Sequence, residues 1–321
     1  MINTLGRSRI KSISAVILSC AAIITLCSAT AGVAAGKSGT DIYAHDNLAA
    51  WCIVPFDSKK RGPEERAAML EKLGIKKLAY DWRAEHVPTF EAEIQAAKKH
   101  GIEFLSFWGA HEDAFKLFEK YGMKPQIWVV LPALTNAATN EERVKITAAN
   151  ILPLVERTRK LGLPLAFYNH GGWCGEPENM IAVAKLLREK HGAAHVGIVY
   201  NLHHGHDHLD RFPAALAAMK PYLLCLNLNG MIKDGDRHGM KILPVGQGDL
   251  DLQLLKTIRD SGYSGPIGIL NHTDEDAEAR LKDNLDGLDW LVPQLDGKPA
   301  GSKPKPCSWN PPAAPSAPAV K

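Results

Sequence analysis

The sequence predicts an α/β fold, a (β/α)8 TIM barrel in a single domain, on three observations. Between Leu48 and Leu291, short and almost continuously apolar runs alternate with helically spaced stretches eight times. Parallel strands covered on both faces read as unbroken apolar runs of this kind. Glycines stand just behind the helical stretches, where a left-handed cap residue belongs. No G-x-G-x-x-G follows the first run, and eight consecutive units suit a closed barrel better than an open doubly wound sheet.

The first run is Leu48 to Val54, followed by helical spacing over Arg66 to Leu73 and a stop at Gly74. Lys77 to Asp81 leads to Phe90 to His100 and Gly101; Glu103 to Trp108 leads to Ala114 to Tyr121 and Gly122. Gln126 to Val130 precedes a long helical stretch, Glu141 to Leu161, closed by Gly162. Leu165 to His170 precedes Pro177 to Lys190 and Gly192, and Val196 to Asn201 precedes Asp210 to Met219. Tyr222 to Asn229 is followed by Leu250 to Ser261 and Gly262, and Pro266 to Leu270 by Glu275 to Leu291. The barrel is therefore expected over residues 45–292.

The two ends read differently. In residues 1–31, Arg7, Arg9 and Lys11 precede an apolar run from Ile13 to Leu26, and Ser28-Ala29-Thr30-Ala31 or Val33-Ala34-Ala35 then offers small residues. That order is a secretory signal peptide, and the run is shorter than the roughly 20 residues of a bilayer span. An exported protein, periplasmic or extracellular, with no membrane span after signal cleavage is expected. Residues 297–321, rich in Pro, Ala, Ser and Lys, read as a disordered tail.

Net charge is +3. Removing the leader's three basic residues brings it to zero, and removing Lys298, Lys303, Lys305 and Lys321 brings it to −4. A phosphate-tracking surface needs the opposite sign, so nucleic acid is not an expected partner. Outside the leader the cysteines are Cys52, Cys174, Cys225 and Cys307, with no C-x-x-C pair and no zinc-ribbon spacing. Cys52 and Cys225 lie in apolar runs and read as buried thiols.

In a parallel barrel the chemistry sits at the carboxyl ends of the strands. Those ends read Tyr80-Asp81-Trp82-Arg83, Phe107-Trp108, Tyr168-Asn169-His170-Gly171-Gly172-Trp173, Tyr200-Asn201-Leu202-His203-His204-Gly205-His206, Asn227-Leu228-Asn229-Gly230 and Leu270-Asn271-His272. Asn, His and Trp gathered at one end mark a polar, aromatic-walled pocket. The amides of Asn169, Asn201, Asn227, Asn229 and Asn271 match sugar hydroxyls, while Trp82, Trp108 and Trp173 offer flat faces for the C–H side of a ring. The competing reading makes the tryptophans core and the asparagines strand terminators, and for mid-strand Trp51 and Trp128 the core reading is preferred.

His170, His204 and His272 are the candidate catalytic residues, since imidazole titrates near neutral pH. They are also the candidate ligands of one divalent metal, zinc-like rather than magnesium-like. The cluster from His203 to His208 matches no established zinc spacing. Asp81 and Arg83 read first as a structural ion pair; alternatively Arg83 holds a substrate oxygen or carboxylate. Glu176 and Glu178, at a helix start, read as structural.

These strand ends, in this order, resemble the xylose isomerase-like barrel superfamily of sugar isomerases, epimerases and endonuclease IV-type enzymes. The strings Tyr-Asn-His-Gly-Gly-Trp, Val-Tyr-Asn-Leu-His-His-Gly-His, Leu-Asn-Leu-Asn-Gly-Met and Gly-Pro-Ile-Gly-Ile-Leu-Asn-His look like an exported branch of sugar phosphate isomerase/epimerase-like proteins. The resemblance implies a divalent metal held by acidic and histidine ligands after strands five to eight. Here those positions fall near Tyr168, Asn201, Asn227 and Asn271, all neutral, so the usual carboxylate ligands are absent. His204 keeps the substrate-side histidine that the resemblance implies. A small-molecule carbohydrate is the expected partner. Three activities stay open: an isomerase or epimerase abstracting a proton beside a carbonyl, a lyase or hydrolase of oxidised (keto) glycosides, or a carbohydrate-binding barrel without catalysis.

The leader carries its own prediction. Mass spectrometry of the native protein is expected to find the amino terminus near Gly32 or Gly36, and a retained Met1 would contradict export.

Overall fold

The computed structural model describes residues 41–132 and 139–309. The expected signal peptide and the tail beyond Trp309 lie outside the described residues. Eight parallel strands close on themselves in chain order. They are β1 (Leu48–Trp51), β2 (Lys77–Tyr80), β3 (Glu103–Trp108), β4 (Gln126–Val129), β5 (Leu165–Tyr168), β6 (Val196–Asn201), β7 (Leu223–Leu228) and β8 (Ile267–Leu270). The pairing of β1 with β8, Leu48 against Ile267 through Trp51 against Leu270, closes the barrel.

Around it run α1 (Pro63–Lys72), α2 (Phe90–Lys99), α3 (Glu112–Tyr121), α4 (Asn140–Leu161), the single turn α5 (Gly172–Gly175), α6 (Pro177–His191), α7 (Phe212–Met219), α8 (Asp251–Asp260) and α9 (Ala277–Leu295). The helix stops follow the sequence pattern: Gly122 and Gly162 take φ of 62° and 66°, the left-handed cap that a Cβ disfavours. At the other end, Thr139 accepts from Glu142 N at 3.2 Å and Asp276 from Glu278 N at 3.0 Å.

Two apolar layers result. Outside the sheet, Val155, Leu187, Leu216 and Leu281 are fully buried between strands and helices. Inside, the lumen is filled by Ala49, Trp51, Ala79, Leu105, Trp128, Ala166, Tyr168, Val199, Cys225 and Leu270. Small alanines leave room for large rings, and Trp51 packs edge-on against Trp128 with centroids 5.0 Å apart. Strands one and five stop short of the sequence estimate. Strand one ends at Trp51 because Cys52 turns into the left-handed region, φ 59°, and strand five ends at Tyr168 rather than His170.

Between β7 and α8 the chain makes a long strap, tied by the antiparallel bridge of Gly230 with Leu243. Asp251, 3% exposed at the start of α8, gathers it: Oδ1 accepts from Met231 N at 2.7 Å, and Oδ2 from Gly246 N at 2.7 Å and Gly248 N at 3.0 Å. A Cβ on Gly248 would lie 2.3 Å from the Met231 backbone, so the approach requires glycine. The first part of the C-terminal segment is also fixed. Asp283 on α9 accepts from Cys307 N at 2.9 Å and Ser308 N at 2.8 Å, and Trp290 donates to Gly301 O at 2.9 Å. No described helix is long and apolar enough to cross a membrane.

Removing the Asp251 carboxylate strands three buried amides, each worth about 1–3 kcal/mol when left without a partner. Asp251→Ala is expected to cost roughly 3 kcal/mol or more in urea unfolding. A loss under about 0.5 kcal/mol would show that the strap amides find other acceptors.

Candidate functional site

The lumen does not fill to the top. At the carboxyl ends of the strands a small cavity opens above the packed rings, lined by Trp51, Cys52, Phe56, Asp81, Arg83, Trp108, Tyr168, His170, His204 and His272. Its floor is aromatic. The Trp108 ring stands at 84° to Tyr168 with centroids 4.9 Å apart, and Trp51 Nε1 donates to the Tyr168 hydroxyl at 3.4 Å. Trp51 is core, as expected from its mid-strand place, yet the core it belongs to is the floor of the cavity.

The three candidate histidines are brought together. His170 follows β5, His204 sits in the 3-10 turn Leu202–His204 after β6, and His272 follows β8. The His170 and His204 rings are 4.6 Å apart, and His203, 2% exposed, stacks behind with centroids 3.6 Å from His204 and 5.7 Å from His272. Burial, reinforced by His170, Lys241 and His272, pushes His204 down to about 3. His203 is driven lower still by burial, and His272 is lowered by burial and by Arg83. At neutral pH these three imidazoles are uncharged, each able to donate one N–H and accept at the other nitrogen.

The rest of the histidine cluster is structural. His206 contacts Lys241 O at 2.9 Å, and buried His208 contacts the Tyr200 hydroxyl at 2.9 Å and Glu176 at 3.4 Å. Glu176 also pairs with Arg211 at 2.5 Å, in keeping with its structural reading.

The asparagines stand apart from the cavity. All five are buried and none lines it. Asn169 and Asn201 tie β5 to β6, since Asn169 Nδ2 donates to Asn201 O at 3.0 Å and Asn201 N donates to Asn169 Oδ1 at 2.7 Å. Asn201 Nδ2 also donates to the Tyr168 hydroxyl, which fixes the ring that walls the cavity. Asn227 Oδ1 accepts from the Cys225 thiol at 3.5 Å, and Asn229 Nδ2 donates to Gly230 O at 2.8 Å. Asn271 donates through its backbone to Trp51 O at 2.9 Å. The Asn169 and Asn201 side chains are thus engaged between strand ends, whereas Asn227 Nδ2, Asn229 Oδ1 and both side-chain polar atoms of Asn271 have no hydrogen-bond partner among the described residues.

Two tryptophans also depart from expectation. Trp82 stacks on Phe107 in the outer layer with centroids 5.9 Å apart, and Trp173 donates to Asn140 Oδ1 at 2.5 Å rather than facing the cavity. Trp108 and Arg83 line it as expected. The Arg83 ion pair does not form. Its Nη1 donates to Trp82 O at 2.8 Å and its guanidinium lies 5.4 Å from the Phe56 centroid, leaving Asp81 Oδ2 without a hydrogen-bond partner among the described residues. Asp81 and Cys52, read from the sequence as an ion-pair partner and a buried thiol, also line the cavity. Asp81's only signal was a carboxylate at a strand end beside an arginine.

A resident metal does not fit this donor set. Among the described residues no three His, Cys, Asp or Glu side chains are placed to hold an ion. The positions that would carry ligands hold Tyr168, Asn201, Asn227 and Asn271, whose neutral oxygens compensate a cation's dehydration less well than carboxylates do.

Comparison with solved structures gives the same architecture at low identity. The chain is 17% identical to the apo 3-keto-D-glucoside 4-epimerase of E. coli, over 76% of this chain and 98% of that one, with TM-score 0.53. It is 13% identical to the IolI protein with a bound zinc atom, over 77% and 98%, with TM-score 0.60. It is 12% identical to D-psicose 3-epimerase with D-tagatose from Clostridium cellulolyticum H10, over 77% and 99%, with TM-score 0.55. No match was found among curated protein sequences. The family model described as xylose isomerase-like TIM barrel matches residues 55–293, and the chain belongs to that family.

Proposed function

We propose that this protein is a sugar-modifying enzyme of the isomerase or epimerase class, acting by proton abstraction next to the carbonyl of a small carbohydrate. The observation that carries this reading is the gathering of His170, His204 and His272 with Arg83 around one aromatic-walled cavity. Trp108 and Trp51 supply apolar faces for the ring's C–H side, and Arg83 supplies donors for its oxygens.

The chemistry asks for an electrophile at the carbonyl oxygen. A neutral imidazole donates to a developing oxyanion without first surrendering its charge, and a dry site strengthens that bond. His204 and His272, both kept neutral by burial, are the donors in this reading. The sugar epimerases among structures of this fold support the substrate class. Because the E. coli structure is named for a keto-glucoside, oxidised glycosides are a second substrate class to test, with cleavage in the same cavity as the second reading.

The panel for the test is D-fructose, D-tagatose, D-psicose and 3-keto-D-glucosides, with products separated by chromatography. His204→Leu is expected to lower turnover by about 10² to 10³ with the melting temperature nearly unchanged, the usual effect of removing one oxyanion donor. Equal turnover in a well-folded variant would remove His204 from the reaction. Bond cleavage in place of a new stereoisomer would favour the second reading, and tight binding without product would favour a carbohydrate-binding barrel.

Chelation is a separate test. With neutral amides at the ligand positions, dialysis against a chelator is expected to leave turnover unchanged. A tenfold loss restored by zinc but not magnesium would instead place a metal on His170, His204 and His272.

A further inference from the structure

Asp81 is a buried carboxyl with too few partners. It lies at the carboxyl end of β2, 2% exposed, and lines the cavity. Oδ1 accepts one long hydrogen bond, from Val54 N at 3.4 Å, and Oδ2 accepts none among the described residues. Arg83, two residues on, is turned to Trp82 O and the Phe56 face instead. An unsatisfied buried carboxyl is destabilising, and groups kept in that condition cluster at functional sites.

A second observation comes from the neighbouring strand. Cys52 is one of three non-glycine residues of positive φ among those described, and it is the one that lines the cavity. Its thiol lines the same cavity as the Asp81 carboxyl, and burial together with that carboxyl's charge holds the thiol well above its usual range. A side chain in the left-handed region persists only where its surroundings impose it, and such positions gather at active sites. The bend that ends β1 thus brings Cys52 to the cavity that the carboxyl at the end of β2 also lines.

We propose that Asp81 is the base that removes the proton beside the substrate carbonyl, with His204 and His272 donating to the carbonyl oxygen. This rests on the reading of the cavity as a proton-transfer site. The C–H bond breaks as an O–H bond forms on Asp81; its electron pair makes the C=C bond of an enediolate, and the carbonyl π pair settles on oxygen. Returning the proton to the former carbonyl carbon, while the hydroxyl on the carbon that lost it passes its proton to the enediolate oxygen and becomes the new carbonyl, completes an isomerisation with no net oxidation and no outside reactant.

The environment suits the role. Burial raises Asp81 to about 7, against the lowering influence of Arg83, the Val54 amide and Arg66. Carboxyl bases work best when their ionisation falls near the working pH. The other titratable groups facing it are Cys52 from β1, Tyr80 from β2 and Tyr168 from β5, all pushed up by burial and therefore protonated at neutral pH. Ionised Asp81 then increases as pH rises through 7, and the rate of proton abstraction rises with it.

The test is solvent deuterium incorporation at the carbon beside the carbonyl, with the same ketose and keto-glucoside panel in D2O. It is combined with infrared titration of the free protein's protonated carboxyl band. Wild type is expected to exchange with a rate that rises through about pH 7, and to show a band that fades over the same range and is missing from Asp81→Asn. Asp81→Asn, which can keep the bond from Val54 N, should hold its melting temperature and exchange about 10² to 10⁴ more slowly. Should it not fold, Asp81→Glu replaces it, expected to retain exchange with a displaced pH profile. Equal exchange in wild type and folded Asp81→Asn, or an Asp81 band that disappears in the ordinary carboxyl range, overturns the proposal and leaves the proton-transfer reading standing. A wild type inert toward the whole panel defeats that reading and the Asp81 proposal together.

Discussion

A closed eight-stranded barrel encloses a lumen that must be filled, and the filling here decides the chemistry above it. Trp51, Trp128 and Tyr168 occupy the centre, with alanines at 49, 79 and 166 making room for them. Rings of that size seal the lumen below the strand ends and leave a shallow dry cup rather than a channel. Everything charged or titratable that faces the cup pays its desolvation against this aromatic floor. The constraint explains why one pocket holds imidazoles held neutral and a carboxyl held protonated longer than usual, since burial disfavours the charged form of both.

The opposed shifts divide labour between residue types. In water, histidine is the proton carrier near neutral pH and aspartate is a spectator anion. In this cavity the order is reversed: His204 is lowered to about 3 and Asp81 raised to about 7. Imidazoles then serve as uncharged donors, and the carboxyl becomes the group matched to proton exchange at physiological pH. Clustering adds to burial at His204, where His170, Lys241 and His272 each oppose protonation, and the same three groups act on His203.

What the sequence made legible follows from what is local. Apolar runs at regular intervals and glycines such as Gly122 and Gly162 behind helices are short-range signals, and they yield the barrel and its order. Barrel topology then places strand ends together, so His170, His204 and His272 were legible as neighbours although far apart in the chain. Which way a strand-end side chain faces, and what it spends its hydrogen bonds on, depends on partners from other strands. Asn169 and Asn201 complete each other across β5 and β6, which no single string discloses. Asp81 beside Arg83 suggests a pair by proximity alone, and the Phe56 ring and the Trp82 carbonyl, which draw the guanidinium away, are features of the fold.

The neutral residues at the usual ligand positions and the orphan carboxyl at β2 belong to one argument. Asn201, Asn227 and Asn271 are fully buried, a burial that carboxylates would bear only with a cation or a cation's equivalent beside them. Amides remove that need, because they leave no net charge behind the cavity wall. In the proposed reaction the electrophilic role a cation would fill falls to N–H donors, and the base is a carboxyl placed elsewhere on the rim. Asp81 is the acid that lines the cavity, on a strand outside the usual ligand set, reached by the bend at Cys52. On the proposed reading, placing the charge on β2 instead of at the ligand positions would keep a proton-transfer site while changing which residues carry it.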